Sequence, residues 1–364
     1  MTDDDLADLR HRLRRTRWPQ PWPVSGWDAG TDPDVLRRMV AYWADGFDWR
    51  AQEERIRALP WFTQDAAGTP IGYLRFDAVA PGGSSCGLPI VLTNGWPSSA
   101  LELVPLARLL AAAGHTAIVP ALPGFPFSPQ RTAHEQQTHE LWHELMTSLG
   151  FARYAAHGGD LGAGITSRLA QAHPDAVAAI HLLAVAAPAT WDDASLTDAE
   201  RAHVASVETW VAQEGAYQHQ QQTRPLTLAP ALSDSPAGLL SWILEKHRAW
   251  SDRTSHPEGD ISAVFDDDHL LTLASLYWFT NTIGSSLRPY WEYAVGITPR
   301  VSRVDVPTAV AVFPHDLAQP PREWAERTYR VERYTVMPRG GHFAPHEAPE
   351  PLAADIVEFL RERR

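Results

Sequence analysis

From Gly72 onward, short continuous apolar runs alternate with longer amphipathic stretches. The runs fall at residues 90–93, 116–120, 154–157, 177–183, 308–313 and 333–337. Runs of this length suit strands buried on both faces, and the stretches between them supply the covering helices. The pattern predicts a mainly parallel sheet with helices on both faces, an α/β fold. Strand signals lapse between about 190 and 298, where Ser235 and Pro236 open a helix toward Trp250, a serine cap followed by proline in the first turn. Residues 191–298 are therefore expected to form a helical cap inserted into a core made of residues 71–190 and 299–364. Ahead of the core, Trp18, Trp22, Trp27, Trp43, Trp49 and Trp61 sit among prolines and Arg/Asp pairs. Residues 1–70 thus read as an N-terminal belt packed on the core.

Composition narrows the function classes. The 364 residues carry a net charge of -13, so a nucleic acid or an anionic membrane would repel most of the surface. The single cysteine, Cys86, cannot form an internal disulfide, and no oxidising compartment is needed. The first residues are acidic where a secretory leader would be basic. The longest apolar stretch, residues 176–191, is interrupted by His181 and Pro188, and reads as a buried strand running into a loop. A cytoplasmic protein is expected.

In such sheets the reactive groups lie beyond the carboxyl ends of the strands. Four strand ends carry candidates. After residues 154–157 comes Gly158-Gly159-Asp160-Leu161-Gly162-Ala163 and then a helix pattern; small residues around Asp160 suit a sharp strand-to-helix turn that exposes a nucleophile. A carboxylate at that place attacks a saturated carbon and leaves an alkyl ester; the alternative is an Asp that merely caps the helix. The turn Asn94-Gly95-Trp96-Pro97 offers the Trp96 N–H, which with the Leu161 N–H can form an oxyanion hole. His342 follows two glycines after the last strand, and Asp316 follows the preceding one. Nucleophile, acid, histidine is the chain order of α/β-hydrolases.

With these residues the chain resembles the microsomal-type epoxide hydrolases in their soluble bacterial form, over nearly its whole length. Thr16-Arg17-Trp18-Pro19 and Phe47-Asp48-Trp49-Arg50 resemble the family's N-terminal region, and the Gly-Gly-Asp turn and Gly-Gly-His-Phe loop its catalytic core. Tyr217-Gln218-His219 and Ser285-Ser286-Leu287-Arg288-Pro289-Tyr290 resemble the cap segments that carry two ring-opening tyrosines. The resemblance implies an α/β-hydrolase that converts an epoxide to a vicinal diol through an ester on Asp160. In it Tyr217 and Tyr290 hold and protonate the ring oxygen, and His342 with Asp316 activates water. It implies no metal or organic cofactor and, at family level, a homodimer; the aromatic residues of the cap suggest as substrate an apolar small-molecule epoxide of some size, an intermediate of secondary metabolism. The sequence departs from the family pattern at Asn94, usually His; at Leu161, commonly Trp; at Pro126, usually Gly; and at Asp316, where animal enzymes have Glu.

Other readings stay open. A haloalkane or haloacid dehalogenase uses the same nucleophile, with Asn94 and Trp96 as halide donors. Asp192 or Asp193 is an alternative acid for His342. His139-Glu140-Leu141-Trp142-His143 fits the zinc-peptidase pattern H-E-x-x-H, and a non-catalytic binder on the same fold is the remaining alternative.

Overall fold

The computed structural model describes residues 1–79, 87–133, 136–188, 190–254 and 261–363; Cys86 lies outside the described residues. Eight strands form one sheet: β1 (Trp61–Ala66), β2 (Thr69–Phe76), β3 (Ile90–Thr93), β4 (Ala117–Pro120), β5 (Tyr154–Gly158), β6 (Val177–Leu182), β7 (Val304–Val312) and β8 (Tyr329–Val336). Their order is β1-β2-β4-β3-β5-β6-β7-β8. The pairs from β4 to β8 are parallel, and β1–β2 and β2–β4 are antiparallel. Every residue of β3, β4, β5 and β6 is buried, as expected for strands covered by helices on both faces.

Two differences from the sequence pattern have local causes. The β1–β2 hairpin lies ahead of the first predicted strand; it turns through Ala67 and Gly68, both at positive φ. Ala-Gly is a weak signal for a turn that asparagine or aspartate usually opens, and the exposed edge strand β1 lacks a clean apolar alternation. Strand β7 begins earlier than predicted because Pro307 sits inside it. The register with β8 shifts between Val304 and Pro307, so the missing N–H falls at an irregularity.

The core helices are grouped around the sheet. Their N-terminal neighbours α1 (Asp3–Arg14), α2 (Pro33–Asp45) and α3 (Trp49–Arg57) precede it; α4 (Val104–Ala112), α5 (Thr138–Ser148) and α6 (Leu161–Ala172) connect its strands. Between β6 and β7 stand α7 (Asp198–Glu214), α8 (Ala216–Thr223), α9 (Pro225–Asp234), α10 (Pro236–Trp250), α11 (Asp267–Thr280), α12 (Ile283–Ser286) and α13 (Arg288–Ala294). The last three, α14 (Arg322–Glu326), α15 (Ala344–Glu347) and α16 (Pro349–Leu360), follow β7 and β8. Ser235 caps α10 by accepting the Gly238 N–H at 3.0 Å, and Pro236 fills the first turn. The N-terminal helices grip this inserted layer. Arg12 pairs with Asp234, Arg38 with Asp267, and the buried Trp43 Nε1 donates to Ser275 Oγ at 2.9 Å. Among the described residues no helix is long and apolar enough to cross a membrane.

Candidate active site

Strand β5 ends in register with β3, Gly158 opposite Thr93. The chain then turns so sharply that Asp160 takes φ 51°, a region costly for a residue with a Cβ. Two glycines make the turn possible. A Cβ on Gly162 would lie 2.1 Å from the Thr93 carbonyl oxygen, and one on Gly95 would lie 2.4 Å from Asp160 Cβ. Although Asp160 stands at the N-cap position of α6, its carboxylate makes no capping bond. Instead Oδ1 accepts the Trp96 N–H at 2.9 Å. This geometry disfavours the helix-cap role and leaves Oδ2 for other chemistry. The Leu161 amide opens α6 and forms no hydrogen bond to the carboxylate.

Above the carboxylate lies a pocket of about 430 Å³ whose lining includes Asp160, Leu161, Tyr217 and Tyr290. Trp96 is fully buried; its indole is parallel to the Tyr217 ring at 5.5 Å and meets the Tyr290 ring edge-on at 6.0 Å. This packing fixes both phenols over Asp160. Burial, with the Asp160 charge added, pushes both well above the ordinary phenol value, so both stay protonated and can donate. The Tyr290 hydroxyl is buried without a hydrogen-bond partner. Tyr217 is near enough to influence its ionisation, yet no bond of normal geometry joins them. A donor held protonated and unsatisfied in this way awaits an acceptor from a ligand. Lys246 Nζ covers the Tyr217 ring at 4.7 Å.

The loops after β7 and β8 are joined by a bridge between His315 and Gly341, which brings Asp316 to His342. Asp316 Oδ1 lies 2.7 Å from His342 Nδ1, and His342 Nε2 lies 3.7 Å from Asp160 Oδ2. Burial alone would lower the imidazole. The charge and hydrogen bond of Asp316, with Asp160 and Glu102 behind them, outweigh burial and raise it to about 9. Glu347 holds the loop by accepting the N–H groups of Gly341 and Phe343. A small cavity of about 20 Å³, room for about one water, is lined by Asp160, His342, Trp96 and Glu102. Burial pushes the Glu102 carboxyl up to about 7.

Sequence reasoning brought Asp160, Trp96, Tyr217, Tyr290, Asp316 and His342 to one place and missed Glu102, Glu347 and Arg168, which also lines the pocket. The available signals were an acid among apolar neighbours, Leu101-Glu102-Leu103, and an acid close behind a Gly-Gly turn whose amides need an acceptor. The alternative acids are elsewhere: Asp192 and Asp193 are exposed, and Asp192 caps a short turn through Ala194 N–H at 3.1 Å. In the H-E-x-x-H stretch, Glu140 contacts His139 at 3.2 Å and His173 at 2.9 Å, while His143 contacts the Tyr154 hydroxyl at 3.0 Å. Among the described residues no group of three His, Cys, Asp or Glu is placed to hold a metal ion.

Residues 1–103 match the family model "Epoxide hydrolase N terminus", and residues 89–227 match "alpha/beta hydrolase fold". A putative epoxide hydrolase of Stigmatella aurantiaca is 37% identical, over 99% of this chain and 83% of that protein. Epoxide hydrolase 1 of Sus scrofa is 30% identical, over 99% of this chain and 87% of its own length. Among solved structures, the Aspergillus niger epoxide hydrolase superposes with a TM-score of 0.85 at 28% identity, covering 100% of this chain and 94% of that one. The juvenile hormone epoxide hydrolase of Bombyx mori gives 0.89 at 26%, covering 100% and 92%. A match that runs from the N-terminal helices through the Asp160 turn, over nearly the whole of both chains, leaves one assignment: this chain belongs to the epoxide hydrolase family of α/β-hydrolases.

Proposed function

We propose that the protein hydrolyses an epoxide to a vicinal diol through an ester on Asp160. The observation that carries this is the Asp160 carboxylate, one oxygen on the Trp96 N–H and the other toward a pocket roofed by two protonated tyrosines. Asp160 Oδ2 attacks one ring carbon, and the carbon–oxygen bond breaks as Tyr217 and Tyr290 donate to the emerging alkoxide. Ester formation removes the negative charge that helped hold His342 protonated; its imidazolium proton passes on to replace the one the tyrosines gave to the alkoxide, and the neutral imidazole is left free to act as a base. A water beside His342 then attacks the ester carbonyl, its proton passing to His342, and the oxyanion rests on Trp96 N–H, with Leu161 N–H as second donor. Collapse releases the diol as its departing oxygen takes the proton held by His342, and the carboxylic acid left on Asp160 gives its proton back to His342, which restores the carboxylate and the imidazolium. In this scheme residues 191–298 act as the cap, and an apolar skeleton suits the walls formed by Leu122, Phe125, Ile165 and Trp210.

An occupied donor weighs against halide release as the reaction. The single N–H of Trp96 Nε1 donates to Ser286 Oγ at 3.2 Å, so it is not free to grip a departing halide. The test is one preparation assayed against epoxides, haloalkanes and esters. Diol from epoxides with no halide release is the expected outcome; halide release without diol overturns the proposal.

A further inference from the structure

We infer that the epoxide taken by this pocket carries a carboxylate, bound by Arg168 about one helical turn from the attacked carbon. The inference rests on the epoxide hydrolysis proposed above and names the substrate class of the same site.

Arg168 lies on α6, the helix that Asp160 opens, and it lines the same pocket. Its guanidinium folds back over Gly164: a Cβ there would meet Nη2 at 3.2 Å and Nη1 at 3.4 Å. Glycine inside a helix costs about 1 kcal/mol against alanine, and here it clears the place where the cation sits. Gly164 is four residues from Asp160, a rise of about 6 Å along the helix. The guanidinium makes no hydrogen bond or ion pair to any described residue, and burial lowers it to about 10, with only the phenols of Tyr293 and Tyr329 acting to raise it.

The rest of the lining leaves this charge uncompensated. Arg131 pairs with Glu292, and Glu292 also holds Arg288 Nε at 2.6 Å. Arg300 lies over the Tyr293 ring at 5.5 Å. The other carboxylate of the lining, Asp160, is committed to Trp96 and to the reaction. A half-buried cation without a counter-ion, in a chain of net charge -13, is a site for an anion brought by the ligand. The flat guanidinium fork matches a carboxylate through two parallel hydrogen bonds. A phosphate dianion would call for a second buried and unpaired cation; the other arginine of the lining without an ion pair, Arg300, is exposed and lies over the Tyr293 ring.

The test uses the para-carboxylate and para-carboxamide of styrene oxide, whose rigid ring spans the required distance. We expect kcat/KM of the parent to favour the acid by about ten- to a hundredfold, Arg168→Met to lose that preference, and Arg168→Lys to keep part of it. Equal turnover of acid and amide by the parent, or a preference retained in Arg168→Met, overturns the inference. Calorimetry with the two corresponding diols reads binding without turnover. If neither epoxide reacts but the acid diol binds tightly and through Arg168, the carboxylate site at Arg168 stands and the reading of its ligand as an epoxide fails. If both diols bind alike, the inference fails even where epoxides are hydrolysed.

Discussion

His342 Nε2 lies 3.7 Å from Asp160 Oδ2, too far for a hydrogen bond and close enough for the carboxylate charge to raise the imidazole. On its other side the imidazole is tied to Asp316 at 2.7 Å. The histidine is therefore held toward its imidazolium form by two carboxylates. In the proposed reaction this arrangement would couple the two chemical steps, because alkylation of Asp160 would itself lower the proton affinity of the base needed next.

The coupling predicts a shift in titration. In Asp160→Asn the charge next to Nε2 is gone, so His342 should titrate below the parent value of about 9; NMR of the ring protons reads this directly. An unchanged titration would show that Asp160 and His342 do not sense each other. Stability follows with a fixed sign. The folded value lies above the unfolded value of about 6.5, so the stability due to His342 is complete below about 6.5 and is lost as pH rises through about 9. The advantage of the parent over His342→Gln in denaturant midpoint should shrink across that window.

In the proposed mechanism Tyr217 and Tyr290 share one acceptor, the epoxide oxygen, so the loss of either alone should be partial. Either phenylalanine variant keeps the ring packing against Trp96 and removes one donor, so ring opening should slow by about ten- to a thousandfold. The double variant should nearly abolish it. Stopped-flow measurement of the alkylation phase checks this, and parental speed in the double variant rules out both tyrosines.

Asn94 is 2% exposed and braces its own turn by donating to the Gly95 carbonyl at 2.9 Å. Since the donor to Asp160 is the Trp96 backbone, Asn94→His should hold kcat within about tenfold of the parent. Complete loss in a folded variant would assign the Asn94 side chain to the reaction.

The histidines of the H-E-x-x-H stretch are already engaged. His143 stacks on His173 at 3.7 Å, and burial lowers His139 to about 4. Prolonged dialysis against a strong chelator should leave epoxide turnover unchanged, and a loss restored by added zinc would overturn this.

What could be read before the structure depended on whether a signal was local. The Gly-Gly-Asp-Leu-Gly turn and the Gly-Gly-His loop carry their geometry in a few small residues, and the buried strands are continuous apolar runs, so the central sheet and the triad candidates were legible. The β1–β2 hairpin was not, because its turn is Ala-Gly and its edge strand is exposed. Glu102 and Arg168 were hidden for another reason: their meaning lies in what stands across the pocket, beside His342 for one and over Gly164 for the other. No spacing along the chain encodes that. The H-E-x-x-H stretch shows the converse, a local pattern whose side chains tertiary packing has given other partners.

The two-step scheme is tested by following atoms. If the ester forms first and His342 serves only in its hydrolysis, His342→Gln should open one equivalent of epoxide and stop. Digestion and mass spectrometry should then find the peptide bearing Asp160 heavier by the whole epoxide, since ring opening loses no atoms. Asp160→Asn should carry no adduct unless its amide slowly reverts to Asp. In the unaltered enzyme a single turnover in heavy-oxygen water distinguishes the routes. Water that attacks the ester carbonyl leaves its oxygen in Asp160, while the carboxylate oxygen that made the first bond departs in the diol. Label should therefore appear in Asp160 and not in the product of the first turnover. Label in that diol with none in Asp160 would show that water opens the ring directly. Asp160 would then act as a base toward that water, and a role as nucleophile would be excluded even with epoxide hydrolysis intact.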